Sequence, residues 1–229
     1  MDDNTYDLPS IQSQSNPSQN AQINTYADFG IGGSSVLGFF FCLIHLCTLG
    51  TFGNNSSLVF YALFLASVLV YHSISILKTI FPKFQVEADM VNKLILSADF
   101  HYLVISILFF FTDISPILYI LSYLIFFFIK GMNFLINKII PLLSNQGFEL
   151  PPVADQIIEQ IEYVTNLSIL TQIIAYIDIL LGVQLFFIFL FDFRFLTCLC
   201  FFAWIFWILA FEYANNEANA RAWSTLATY

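Results

Sequence analysis

Lysine and arginine together number only 7 in a chain of 229 residues, against 16 aspartates and glutamates, and the formal net charge is −9. Binding to phosphate backbones needs a basic footprint, so nucleic acid is excluded as a partner class. The same scarcity argues against electrostatic docking onto anionic lipid. Cysteine is also sparse. Cys42, Cys47, Cys198 and Cys200 lie inside apolar runs with no zinc-ligand spacing, where thiols serve as small hydrophobes. The sequence has no phosphate-cradling glycine loop, no nucleophile–base motif and no metal motif. The expectation is a non-enzyme without cofactor. The stretch from Met1 through Ala27 has neither the basic start and apolar core of a secretory signal nor the arginines of a mitochondrial presequence.

Hydrophobic side chains make up 59% of the chain, charged ones 10%, and the mean hydropathy is +0.78. A soluble domain of this size cannot cover so much apolar surface, whereas a lipid-facing bundle has no need to. The expected fold is all-α: a polytopic membrane helical bundle of about six apolar segments with short hairpin turns. These run at about 34–52, 58–77, 94–111, 117–136, 167–191 and 193–211, most of them near the ~20 residues that cross a hydrocarbon core. Residues 1–30, rich in Ser, Gln, Asn and Pro, read as a flexible polar tail, 31–211 as the membrane domain, and 212–229 as a short polar tail. The turn Thr112-Asp113-Ile114-Ser115-Pro116 makes the third and fourth segments an antiparallel hairpin.

Residues 138–166 form the one sizeable polar connection. Within it, Ile157, Ile158, Ile161 and Val164 recur at helical spacing, with Asp155, Glu159 and Glu162 at other positions. Membrane-surface helices favour Lys and Arg. An amphipathic helix with an acidic polar side is therefore expected to bury its isoleucines against protein. With six crossings, Lys78, Lys83, Lys93, Lys130, Lys138 and Arg221 fall on the side of the N-terminus and Arg194 alone on the other, which puts both termini at the cytoplasmic face. Asn54-Asn55-Ser56 and Asn55-Ser56-Ser57 match glycosylation sequons, but so short a loop keeps the acceptor against the membrane.

The stretch FPKFQVEADMVNKLILSADFHYL, from Phe81 to Leu103, carries a Pro-x-Phe-Gln element (Pro82, Phe84, Gln85) followed by His101, Tyr102 and Leu103 opening an apolar helix. This pattern resembles the Transmembrane Protein 33 family, which includes the Krüppel-homologue and nuclear-pore-membrane proteins. The Pro116 hairpin ending at Lys138, the segment IIAYIDILL from Ile173 to Leu181, and Tyr213, Arg221 and Trp223 are similar as well. The likeness spans roughly residues 58–223. It implies a protein of the endoplasmic reticulum and nuclear envelope that organises or shapes membrane by binding other membrane proteins. Family members commonly end in a longer, basic, amphipathic region, and here one Arg stands in the tail.

Polar residues inside apolar segments are the remaining candidates. Asp178 lies mid-segment, where a carboxylate costs about 2.5–3.5 kcal/mol on insertion scales, so it is expected inside the bundle on a His or Tyr partner. A proton or ion site is its sharper reading, and Gln172, Tyr176 and Gln184 are the polar groups near it in sequence. Asp99, His101 and Tyr102 open the third segment, and His45 and His72 lie on the first two. A three-histidine metal cluster lacks a completing acid or thiol at matching depth, so helix-packing hydrogen bonds are expected instead. Ala62 and Ala66 form a small-xxx-small pair suited to helix contact. Three functions follow in order: a membrane organiser of the family above, an accessory subunit of a large membrane complex such as a mitochondrial inner-membrane respiratory assembly, and a small transporter using Asp178.

The charge asymmetry makes a direct prediction. Single cysteines introduced at positions 10 and 148 should react with an impermeant maleimide applied from the cytoplasmic side, and one at position 55 only from the opposite side.

Overall fold

The computed structural model describes residues 17–49, 54–80, 90–112, 115–148, 151–211, 214 and 217–228. Pro82, Phe84, Gln85, Lys83, Asp113, Tyr213 and the side chains of Asn54, Asn55 and Ser56 lie outside the described residues, as does the chain before Pro17.

Among the described residues the chain is helical throughout. The first helix, α1 (Pro17–Thr48), is 32 residues long, and α2 (Asn54–Ile80) returns antiparallel along it. A short α3 (Met90–Ile95) leads into α4 (Ala98–Phe111). Helix α5 (Ile117–Phe134) passes through one π-turn (Leu135–Ile139) into α6 (Ile140–Asn145). The connecting helix α7 (Pro152–Thr165) precedes α8 (Ser168–Phe191), which is followed by α9 (Phe195–Ala203), a π-helical stretch (Trp204–Phe211) and a terminal α10 (Glu217–Ala227).

Three boundaries differ from expectation, each for a local reason. The polar stretch expected as a tail through residue 30 is helical from Pro17, a residue whose fixed φ suits a first turn. Asp28 on that extension faces two lysines, Lys78 at the end of α2 and Lys138 in the π-turn after α5, the latter at 3.6 Å. These pairs tie three helices at the end of the bundle that carries most of the positive charge. The 94–111 segment is broken at Ser97, whose Oγ accepts from the Phe100 amide at 3.1 Å and caps α4, with Asp99 in the first turn. The C-terminal tail is helical over Glu217–Ala227 and packs on α8, burying Asn219 and Ala222.

The six apolar segments are also unequal. Four helical stretches are long and apolar enough to cross a membrane: Asn24–Thr48, Ser57–Thr79, Ile117–Asn145 and Ser168–Phe191. The other two, Ala98–Phe111 and Phe195–Phe211, are shorter. At 1.5 Å per residue the 14 residues of α4 rise about 21 Å, against about 30 Å of hydrocarbon. Both short segments still run antiparallel to their neighbours, and they pack on each other.

Aromatic side chains fill the centre. Phe64, Phe109, Tyr119, Phe127 and Trp204 are all fully buried, and their rings meet mostly edge-to-face, as between Phe109 and Tyr119 at 4.7 Å. Helix α5 lies between α1 and α8 and contributes Tyr119, Ile120, Tyr123 and Phe127 to this core. Its approach to α1 depends on absent side chains. The ring of Phe134 rests on Gly32 and the ring of Phe127 on Gly38, where a Cβ would overlap ring atoms.

At the opposite end His45 joins three elements. Its Nδ1–H donates to the Ser57 carbonyl at 2.8 Å, and its Nε2 stands 3.4 Å from Ser115 Oγ. The histidine therefore holds the start of α2 and the turn before α5 against the end of α1.

The glycine seats carry a prediction. Gly38→Val should lower stability by about 1–3 kcal/mol, the usual cost of overpacking a filled core. Gly33→Ala, where nothing lies within 4 Å of the added carbon, should melt with the parent protein in detergent.

Candidate functional site

The polar residues of the apolar segments gather into two linked clusters. Asp178, on α8, is 3% exposed. Its Oδ1 accepts from Ser122 Oγ of α5 at 2.9 Å and its Oδ2 from Tyr102 OH of α4 at 3.2 Å. Its backbone carbonyl accepts from the Trp204 indole at 3.0 Å. Hydroxyls from two different helices reach its two side-chain oxygens. Four segments thus meet at this one residue.

The second cluster centres on His72 of α2. Its Nδ1 lies 2.7 Å from Asp99 Oδ1 and its Nε2 2.6 Å from Tyr123 OH. With Nδ1–H donating to the carboxylate, Nε2 is left to accept the tyrosine proton. Ser75 Oγ donates to Asp99 Oδ2 at 2.6 Å. The His72 ring stacks on Tyr102 with centroids 5.7 Å apart and planes 12° from parallel, so Tyr102 belongs to both clusters. Around the same aromatic core, Tyr119 OH and Ser106 Oγ are 2.7 Å apart.

Between the clusters lies a cavity of about 440 Å³, within the range of small-molecule sites. Asp178, Ser122, Tyr102, Tyr123 and His72 form its polar wall, and Lys130 and Asn219 also line it. Ala98 opens α4 and Thr171 lies in the first turn of α8, so the cavity reaches the level of these helix ends. Asp178, ten residues into α8, lies about 15 Å along the helix axis from its start.

His101 and His45 stand apart from this cavity's lining. His101 Nε2 donates to the Ile95 carbonyl at 2.6 Å, and its ring stacks on Trp207 at 5.5 Å and 8°. Asp99 therefore pairs with His72 rather than with the histidine two residues along its own helix. Leu103, the last residue of the His-Tyr-Leu element, is half-buried on α4. Among the described residues no group of three or more His, Cys, Asp or Glu side chains is placed to hold a metal ion.

Gln184 and Tyr176, near Asp178 in sequence, make contacts elsewhere. Gln184 accepts from the Leu118 amide at 3.4 Å, and Tyr176 packs against the cluster beneath α10. The hydroxyl donors to Asp178 come from other helices, and sequence alone did not single out Ser122, Tyr123, Ser75 and Asn219. Tyr119, Ser122 and Tyr123 do carry a signal: their i, i+3, i+4 spacing puts three hydroxyls on one face of a helix that is otherwise apolar.

On α7 the expected burial is only partly met. Ile158 and Ile161 are half-buried, but Ile157 is 53% exposed and Val164 37%. Ile157, Ile161 and Val164 line an open hollow of about 400 Å³ with Phe128 of α5, because α7 touches the bundle chiefly along α5.

A bundle of long apolar helices closed by shorter ones, with its polar groups turned inward, defines a polytopic helical membrane protein. The model of the Transmembrane protein 33/Nucleoporin POM33 family matches residues 14–225, nearly the whole chain. The protein belongs to that family. No match was found among curated proteins or among solved structures.

Asp178 should be structural in a way that two substitutions separate. Asp178→Asn keeps a polar group of the same shape between Ser122 and Tyr102 and should leave abundance and melting near the parent values. Asp178→Leu strands both hydroxyls and should cost about 1–2 kcal/mol, the scale of membrane hydrogen bonds. Equal loss in both variants would assign the role to the charge instead.

Proposed function

We propose that this protein is a non-enzymatic membrane organiser that shapes endoplasmic reticulum or nuclear-envelope bilayer and works through other membrane proteins. The observation that carries this reading is the flank made by α4 with α9 and the π-helical stretch. Both segments are shorter than the long helices on the other sides, and they lie side by side. Their outer faces are apolar, with Ile107, Phe110 and Phe111 exposed on one and Phe195, Phe202 and Phe206 on the other. A bilayer meeting this flank must thin or bend to keep those rings in hydrocarbon, while the opposite flank fits a full-thickness membrane. The mechanism is steric and needs no reaction. Family membership supports the organelle and the organising role. The open apolar side of α7 supports a protein partner, since Ile157 and Val164 lie beside acidic Glu159 and Glu162, which anionic headgroups repel.

Reconstitution tests the shaping role. Full-length protein at rising density in vesicles should narrow or tubulate them, more readily in short-chain than in long-chain lipid. Spherical vesicles at every density would refute it. Fractionation with native-gel mass addresses location: co-sedimentation with endoplasmic-reticulum markers is expected, and recovery in a respiratory assembly would replace this reading with that of an accessory subunit.

A further inference from the structure

We infer that the cavity between α2, α4, α5, α8 and α10 is a binding site for a neutral lipid alcohol, whose hydroxyl pairs with the carboxamide of Asn219. The inference goes beyond the shaping role and does not depend on it.

The charged groups around the cavity are answered within the protein. Asp178 receives hydroxyls from Ser122 and Tyr102 on its two side-chain oxygens. Asp99 takes His72 and Ser75, and both ring nitrogens of His72 are engaged, one by Asp99 and one by Tyr123. Lys130 Nζ lies 5.7 Å from the centroid of the Phe126 ring and within electrostatic reach of Asp99. A charged ligand of either sign must compete with one of these arrangements for its counter-charge, and a neutral one need not.

Asn219 is the exception. It lies in the first turn of α10, a helix that packs on α8, and is 7% exposed. It lines the cavity, and among the described residues no hydrogen bond reaches its carboxamide. The charged residues of the same helix, Glu217 and Arg221, pair with each other on its exposed side. Buried polar groups are nearly always paired, because burial takes away the hydrogen bonds of water. A carboxamide carries two N–H donors and a carbonyl acceptor, and a hydroxyl can answer both kinds without bringing charge.

The rest of the lining suits an apolar body. Tyr102, Tyr123 and Phe126 supply aromatic rings, and Ile129, Ile174 and Ala175 aliphatic groups. The volume of about 440 Å³ is that of a small-molecule site. The cavity reaches the level at which α4 and α8 begin, and Asn219 stands near the start of α10. The ends of membrane helices lie where headgroups meet hydrocarbon, the depth at which a lipid alcohol holds its hydroxyl. Sterols and diacylglycerols share this chemistry, one hydroxyl on an apolar body.

Native mass spectrometry of the full chain in detergent, titrated separately with cholesterol, dioleoylglycerol and the O-methyl ether of each, tests this. The ethers keep the apolar body and an accepting oxygen but lose the O–H. The parent protein should retain cholesterol or dioleoylglycerol at a concentration about three- to tenfold below that of its ether, the range of one neutral hydrogen bond. Discrimination within the sterol pair or within the glyceride pair identifies the source of the alcohol. Asn219→Ala should bring alcohol and ether to equal retention. A variant that only loosened α10 would weaken both and keep their ratio. Equal retention of each alcohol and its ether by the parent protein, which would leave Asn219 to water, or an unchanged ratio in Asn219→Ala, would overturn the assignment.

Discussion

One buried carboxylate organises this bundle. A charge at the depth of Asp178 is tolerable only if its oxygens find donors that hydrocarbon does not supply. Ser122 and Tyr102 meet that demand from two different helices, and the indole of Trp204 takes the backbone carbonyl of the same residue. Apolar contacts between membrane helices are nearly interchangeable with contacts to lipid, so they specify neighbours weakly. Hydrogen bonds to one acid do specify them. They fix α4, α5, α8 and the stretch after α9 in one arrangement, and Tyr102, stacked on His72, extends the constraint to α2.

The rest of the architecture reads as a frame around that centre. Glycines at 32 and 38 let α1 come close enough to α5 for Phe134 and Phe127 to lie on its backbone. His45 fastens the turns at one end, and Asp28 gathers Lys78 and Lys138 at the other. Helix α10 contributes Asn219 and Ala218 to the cavity between them. The terminal segment, polar by composition, is thus part of the wall of an internal space rather than an appendage.

Much of this was legible in the sequence. Apolar runs and turn residues marked the helices, and Asp178 stood out by cost alone. What sequence concealed was pairing between helices. Asp99 and His101 are neighbours along the chain, yet Asp99 bonds His72 and His101 bonds Ile95. Tyr176 and Gln184 flank Asp178 on its own helix, but the side-chain donors to its carboxylate come from α4 and α5. Periodicity places a side chain on a face and says nothing about which helix lies opposite. The polar stretches 17–30 and 217–227 misled for a related reason, since their order comes from an ion pair and from a packed α8 surface rather than from hydropathy.

The short flank has a consequence for how molecules of this protein meet. In the shaping role proposed above, a thinned ring of lipid around α4 and α9 would store elastic energy in proportion to its perimeter. Two copies that approach through these flanks share one ring where each had its own, and the shared perimeter is smaller than the sum. Under that proposal, lipid elasticity would itself draw copies together by this side. Assembly of this kind would grow with density and lessen in thinner bilayers, which match the short flank.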